Sequence, residues 1–206
     1  GAKLLFMGCE FGQRNEWNFA GQLEWNTLDF ESHRGIQEWV KILNRLYVTE
    51  KALHEQCTLP AGFNWIRVDD WQQSVLAYER VAVDPHDRIL VILNMTPVER
   101  PAYRIGTEQQ GAWSLVQDSD QVAYWGMGRE VRKHVEIEPI PWEHKTSSME
   151  FQLPGLTAMI YKFIPPKAEA KAKVKAKAPP MERAAAPCGD MRTTSLTKTP
   201  FQPAAA

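Results

Sequence analysis

Cysteine is scarce: the 206 residues hold three, Cys9, Cys57 and Cys188. An odd and widely spaced set excludes a disulfide framework and fits no zinc pattern, so reduced thiols in a cytoplasmic protein are expected. None of the five His forms a His-x-x-x-His pair. No metal or cofactor is therefore expected, and His33 and His54 are read as surface or helix-end residues. No apolar run reaches the roughly 18 residues that a membrane helix needs, and no secretory leader pattern opens the chain. Charge of one sign is not in excess either, with 24 Lys and Arg against 25 Asp and Glu, which argues against a nucleic-acid-binding domain. Gly-x-Ser-x-Gly, P-loop and Gly-x-Gly-x-x-Gly patterns are absent. An initiator Met is missing too: the chain opens Gly1-Ala2-Lys3 and reads as a truncated start.

What is present is 44% hydrophobic and 10% aromatic, ample for a core. The distribution is uneven. Residues 167–206 carry eight basic and three acidic residues, whereas the first 166 carry sixteen and twenty-two. All eight Trp precede residue 143. The Lys/Ala/Pro-rich segment 165–206 cannot bury enough apolar surface to offset its ordering entropy, and a disordered basic tail is expected there. A nucleic-acid role for Lys171–Lys177 through phosphate charge is the less favoured reading against a solvated extension.

Lys3-Leu4-Leu5-Phe6-Met7-Gly8 is a short apolar run that suits a strand buried on both faces. Residues 9–34 read as a long loop rich in aromatics and carboxylates, a common setting for a binding surface. From Gly35 to Tyr47, Ile36, Trp39, Val40, Leu43, Leu46 and Tyr47 share one stripe, which predicts an amphipathic helix packed on a core, with Ser32 as its N-cap. Beyond residue 57 the period becomes two. Strands are predicted at 63–69, 74–83, 87–95, 99–105, 111–118, 133–138, 148–153 and 156–164, separated by turn signals such as Asp84-Pro85-His86-Asp87 and Pro154-Gly155. Ile89 to Leu93 is apolar on both faces, as a central strand would be.

Eight such strands argue for an antiparallel β-sandwich over 57–164. Residues 1–56 read as one β/α unit. Such a unit cannot form a domain alone, so it either docks on the sandwich or has partners outside this chain; the second reading is favoured. Leu4, Leu5, Phe6 and Met7, left without neighbours, would forgo about 1.5–3 kcal/mol each. The segment before residue 57 is then expected to be disordered, docked non-natively or prone to aggregate.

Glu10 directly follows the first apolar run, where barrel enzymes place active-site groups. A structural carboxylate is the plainer alternative. Trp17 and Trp25 could stack on sugar rings or pack beneath the loop. Glycoside chemistry needs two facing carboxylates, and nothing fixes the separation of Glu10, Glu16, Glu24 and Asp29. The sandwich offers Phe63, Trp65, Trp71, Trp113, Trp125 and Trp142 as aromatic stacking options, of which Trp65 and Trp113 sit within strand patterns and are assigned to the core. Trp71 and Trp125 lie near turns and are the candidate glycan-stacking residues.

Lys3-Leu-Leu-Phe-Met-Gly-Cys-Glu-Phe-Gly-Gln13, with Glu16-Trp17-Asn18, resembles the C-terminal part of bacterial glycogen (1,4-α-glucan) branching enzymes of the α-amylase superfamily. Leu23-Glu24-Trp25, Gly35-Ile36-Gln37 through Leu46-Tyr47, Ala52-Leu53-His54-Glu55, Gly62-Phe63-Asn64-Trp65-Ile66, Asn94 through Val98, Tyr103 through Gly106 and Leu153-Pro154-Gly155-Leu156 continue the likeness in order, over roughly residues 2–164. Cys9 departs from the family's polar residue.

The resemblance implies that residues 3–7 are the eighth strand of a (β/α)₈ barrel, 8–34 the loop over its active-site end and 35–47 the helix after it. It implies a retaining cleavage of α-1,4-glucan with transfer to a 6-hydroxyl, carried out by carboxylates upstream of Gly1, so that no catalytic residue lies in this chain. The implied partners are α-glucan and the N-terminal barrel of the same enzyme, with no membrane. A trehalose-forming or debranching relative, or a non-catalytic glycan-binding module, are the alternatives.

Overall fold

The computed structural model describes residues 3–166; the expected disordered tail and Cys188 fall almost wholly outside the described residues. Eight strands carry the fold: β1 Phe63–Asp70, β2 Val75–Val81, β3 Arg88–Asn94, β4 Arg100–Thr107, β5 Ala112–Asp118, β6 His134–Glu136, β7 Ser147–Leu153 and β8 Thr157–Ile164. Each coincides with a strand expected from period-two patterning, with ends moved by at most two residues. Six form one antiparallel sheet in the order β1-β2-β3-β8-β5-β6, and β4 pairs with β7 in a second.

The β3–β8 ladder lies mid-sheet, in register from Ile89↔Lys162 to Asn94↔Thr157. Its side chains alternate between two apolar layers, because successive residues of a strand face opposite sides. Leu90, Ile92, Met159, Tyr161 and Phe163 join Tyr103, Ile105, Met149, Phe151 and Leu153 in the inter-sheet core. Trp113 is fully buried there, as expected. Ile89, Val91 and Ile160 point the other way, beneath a helical layer.

That layer is α1 Glu31–Thr49 and α2 Lys51–His54. Trp39, Ile42, Leu43 and Leu46 of α1, with Ala52 and Leu53 of α2, cover the outer sheet face, so the expected Trp39 stripe is core packing. Polar ties fasten the layers. Lys162 of β8 donates to Glu50 between the helices (2.5 Å) and to Asp87 before β3. Burial disfavours its ammonium, but those two hydrogen bonds outweigh it and raise the pKa. Gln56 donates to the Ala82 carbonyl (2.7 Å), and Arg80 donates through Nε to the Gly62 carbonyl (2.9 Å).

Several expectations are corrected. Residues 3–7 take no strand conformation, because no neighbouring strand supplies the hydrogen bonds a strand requires. Leu4 is 86% exposed, and Leu5, Phe6 and Met7 are exposed too. The rest of the segment before residue 57 does dock, since the apolar stripe finds the outer sheet face. α1 starts four residues earlier than predicted, at Glu31, with Phe30 at the cap position and no side-chain cap, so Ser32 is helical rather than capping. His33 is at the helix start but buried, its Nδ1 2.8 Å from the Phe11 carbonyl oxygen. Cys9 and Cys57 are free thiols.

The small β4–β7 sheet is knitted by charge. Arg104 donates to Glu138 (2.7 Å), Ser148 Oγ (2.9 Å) and Glu150 (2.9 Å), while Arg132 donates to the other Glu150 oxygen (2.8 Å). The Arg104 hydrogen bond, aided by Arg132, holds the Glu150 carboxyl below its usual pKa. A carboxyl depressed on folding adds stability above its unfolded pKa of about 4.3, and that stability disappears as pH falls through the lower folded value. Glu150→Gln should therefore cost about 1 kcal/mol at neutral pH. In urea titrations across pH, its deficit against the parent should shrink towards zero as the solution is acidified below the ordinary carboxylate range.

Candidate functional site

Glycines with positive φ shape the loop that was expected to carry substrate-lining residues. Gly8 (φ 85°) and Gly12 (φ 66°) bracket a 3₁₀ turn at Cys9–Phe11, a conformation glycine adopts without steric cost. Phe11 is fully buried and meets Trp25 at 5.1 Å between ring centroids. Trp17 meets Phe6 edge to face at 5.4 Å. Glu10 is half-buried on the turn, and its carboxylate makes no hydrogen bond or ion pair with the described residues. Trp17 and Trp25 each keep an exposed face.

Glu24 has a structural role in this loop. Its carboxylate accepts from the Arg14 N–H (3.1 Å), the Asn15 N–H (3.4 Å) and the Asn15 side-chain amide, and its own N–H donates to Gln13 Oε1 (3.1 Å). The Asn15 side-chain bond chiefly lowers its pKa. It binds the two limbs of the loop together, which removes it from the set of free carboxylates.

Trp71, on the β1–β2 turn, is 79% exposed, and Trp125 is 65% exposed. The two lie on different connections, β1–β2 and β5–β6, and their rings make no contact with each other. Trp125 ends a 3₁₀ turn, Val122–Tyr124, in the left-handed conformation (φ 66°, ψ 23°). This turn seats on α1: a Cβ on Gly35 would stand 2.6 Å from the Tyr124 carbonyl carbon and oxygen, and Trp39 packs on Tyr124 at 5.1 Å.

The most continuous aromatic surface joins Phe63, one of the stacking options, to a residue that the strand pattern assigned to the core. Trp65, assigned to the core, is 50% exposed. It lies on β1, the last strand of its sheet, beyond the cover of α1. Phe63 and Trp65 meet at 4.9 Å, Phe63 stacks on Tyr78 at 5.4 Å, and Trp65 meets Tyr78 edge-on at 6.0 Å. The signal available was Phe63-x-Trp65, two rings on one face of a strand; what was missing was that β1 has a free edge. The register breaks near Arg67 twist that edge and guard it against pairing with another strand.

Among the described residues no three His, Cys, Asp or Glu side chains converge on a possible metal. The close docking at Gly35 makes a test: Gly35→Ala should destabilise the chain by about 1–3 kcal/mol, the overpacking cost. Thermal melts should show it together with faster amide exchange in residues 121–126.

Residues 65–164 match the family model of the alpha amylase C-terminal all-beta domain. The 1,4-alpha-glucan branching enzyme GlgB of Aquifex aeolicus is 43% identical over 162 residues, which is 79% of this chain and 26% of that protein. The protein of the same name from Thiobacillus denitrificans is 46% identical over 165 residues, 80% of this chain and 22% of its own length. Among solved structures, an alpha-amylase from H.orenii aligns with 63% of this chain and 20% of its own at a TM-score of 0.38 and 13% identity, too loose a likeness to bear on the fold. This chain thus spans about a quarter of the length of the relatives it matches. Residues 65–164 thus belong to the alpha amylase C-terminal all-beta domain family, and over about four-fifths of its length the chain is similar to bacterial 1,4-alpha-glucan branching enzymes.

Proposed function

We propose that this chain is the C-terminal part of an enzyme that cleaves α-1,4-glucan and transfers the freed segment to a 6-hydroxyl, creating an α-1,6 branch. The identity of 43–46% with GlgB proteins over four-fifths of the chain carries this reading. The reacting carboxylates lie in the part of the enzyme that precedes this segment. Residues 1–56 contribute the last strand, loop and helix of the catalytic barrel, 57–164 the sandwich, and 165–206 a basic tail. The exposed Leu4, Leu5, Phe6 and Met7 support this division, because a barrel supplies the strand partners and apolar cover that they lack here. Glu10, Trp17 and Trp25 then line the substrate side of that barrel. The enzyme works in the cytoplasm, and no described helix is long and apolar enough to cross a membrane.

Phe63, Trp65 and Tyr78 hold α-glucan on the sandwich, with Trp71 as a further stacking residue. An exposed ring offers an apolar face to the C–H side of a pyranose at little cost in side-chain entropy.

Two measurements test the reading. The full-length enzyme acting on amylose should generate chains that a debranching enzyme releases; trehalose release without new branches overturns the assignment. The 206-residue chain should be retarded in gels containing glycogen, and Trp65→Ala should weaken the retention about three- to tenfold, the worth of one aromatic contact. Unchanged migration of Trp65→Ala removes the Phe63–Trp65–Tyr78 platform from the glucan surface.

A further inference from the structure

Trp125 stands where a bulky side chain is badly suited. Its left-handed backbone is one that glycine or asparagine adopts readily and that an aromatic residue adopts only under strain. Burial gives no compensation, since the side chain is largely exposed and meets no other aromatic ring among the described residues. Fold stability therefore does not explain an indole here.

The segment that presents it is held firmly. Asp120, itself buried, accepts from the Met127 N–H (3.1 Å), the Arg129 N–H (2.9 Å) and the Arg129 side chain (3.1 Å). The Gly126 N–H donates to the Gln121 carbonyl (3.1 Å), and Tyr124 donates to Gln117 Oε1 (3.1 Å). From below, Gly35 lets α1 approach the Tyr124 peptide. The ring is thus mounted on a preorganised support, which lowers the ordering cost of binding.

Beside it runs an open groove of 360 Å³, lined by Glu31, Arg34, Glu38, Val122 and Trp125 among others. Glu31 makes no hydrogen bond or ion pair with the described residues, and Arg34 uses one terminal nitrogen on the Leu28 and Asp29 carbonyls (2.8 and 2.9 Å). An exposed ring flanked by carboxylates and a guanidinium is a surface for a neutral polyol: the ring takes the C–H face, and the polar groups take hydroxyls. Glu38 is paired with Lys41 (3.1 Å), and Glu31 faces Arg34 across the groove lining, so the rim carries no net charge to draw a polyanion, and an apolar partner would leave those charges desolvated.

We propose that Trp125 and this groove form a second α-glucan contact, separate from the platform at Phe63, Trp65 and Tyr78. The proposal rests on the glucan reading above. In the sheet order, β1 and β5 are separated by β2, β3 and β8, so those two strands stand on the order of 20 Å apart, with Trp125 on the connection that leaves β5. One packs beside α2 and the other on α1, so both flank the helical layer. A long glucan can engage both at once and gain avidity that a single short oligosaccharide does not.

The test uses the whole 206-residue chain in glycogen-containing gels, with Trp125→Gly, Trp125→Phe, Trp65→Ala and the Trp65→Ala/Trp125→Gly double variant, each also melted. Glycine relieves the left-handed strain, so Trp125→Gly should melt at the parent temperature or above. It should nonetheless lose about three- to tenfold in retention. Trp125→Phe should recover part of the loss, and the double variant should bind more weakly than either single one. If Trp125→Gly migrates like the parent while Trp65→Ala runs free, the second contact is overturned and the glucan reading stands. If both Trp125 variants lose retention equally and melt lower, the effect is structural and the proposal falls. If the parent itself is not retarded, both the proposal and the glucan-holding role of the sandwich fall, while the branch-forming assay on amylose still decides the enzyme assignment.

Discussion

The β3–β8 ladder has to be covered on both faces, and the rest of the structure follows from that requirement. Ile89 to Leu93 alternates into two apolar layers, and β8 does the same opposite it. Covering one side needs the β4–β7 sheet, which closes the inter-sheet core over Leu90, Ile92 and Tyr161. Covering the other needs α1 and α2, without which Ile89, Val91 and Ile160 would face water at about 25 cal/mol per Å² of apolar surface. The helices α1 and α2 therefore serve the sandwich as its outer layer, and the boundary near residue 57 separates kinds of structure more than independently packed bodies.

The cover is narrower than the sheet, which explains where the exposed aromatics are. The helices sit over β2, β3 and β8, and β1 extends beyond them with Phe63 and Trp65 still on the covered side. At the opposite flank the 121–126 turn leans on α1 through Gly35 and carries Trp125 outward. Aromatic rings at the rim of a helical cap can pack partly against it and keep a face free. The same geometry that completes the core therefore leaves aromatic rings exposed at its rim.

Most of this was legible in the sequence, because period two is a local property. The eight strands, the α1 stripe and the burial of Trp113 all followed from spacing alone. What failed depended on neighbours. Residues 3–7 read as a strand only with neighbours from outside the chain, and among the described residues they take no strand conformation. Trp65 read as core since strand interiors usually are, and only the sheet order reveals that β1 is an edge. Ser32 is a good capping residue by type, but the chain turns into the helix at Phe30, where the Phe11 carbonyl, His33 and the 3₁₀ turn at Trp25–Asp29 set the entry. Glu10 was singled out by position and Trp17 and Trp25 by their rings; the first is half-buried and the other two exposed on the loop, while Glu24 holds the loop together.

Polar groups set the geometry that the apolar layers leave open. Lys162 reaches from the sheet to Glu50 and Asp87, so one ammonium fixes the helix pair, the turn before β3 and β8 relative to one another. Tyr103 donates to the buried Asp70 at 2.6 Å, and burial together with that carboxylate pushes its phenol well above the usual range, so it stays a donor at any physiological pH. Asp70 also accepts from Gln73 (3.0 Å), which pins the β1–β2 turn bearing Trp71. Asp120 does the same for the turn bearing Trp125. In both cases a buried aspartate with several donors fixes a turn whose tryptophan is exposed. The hydrogen bonds lie in the support, and the ring itself is left exposed.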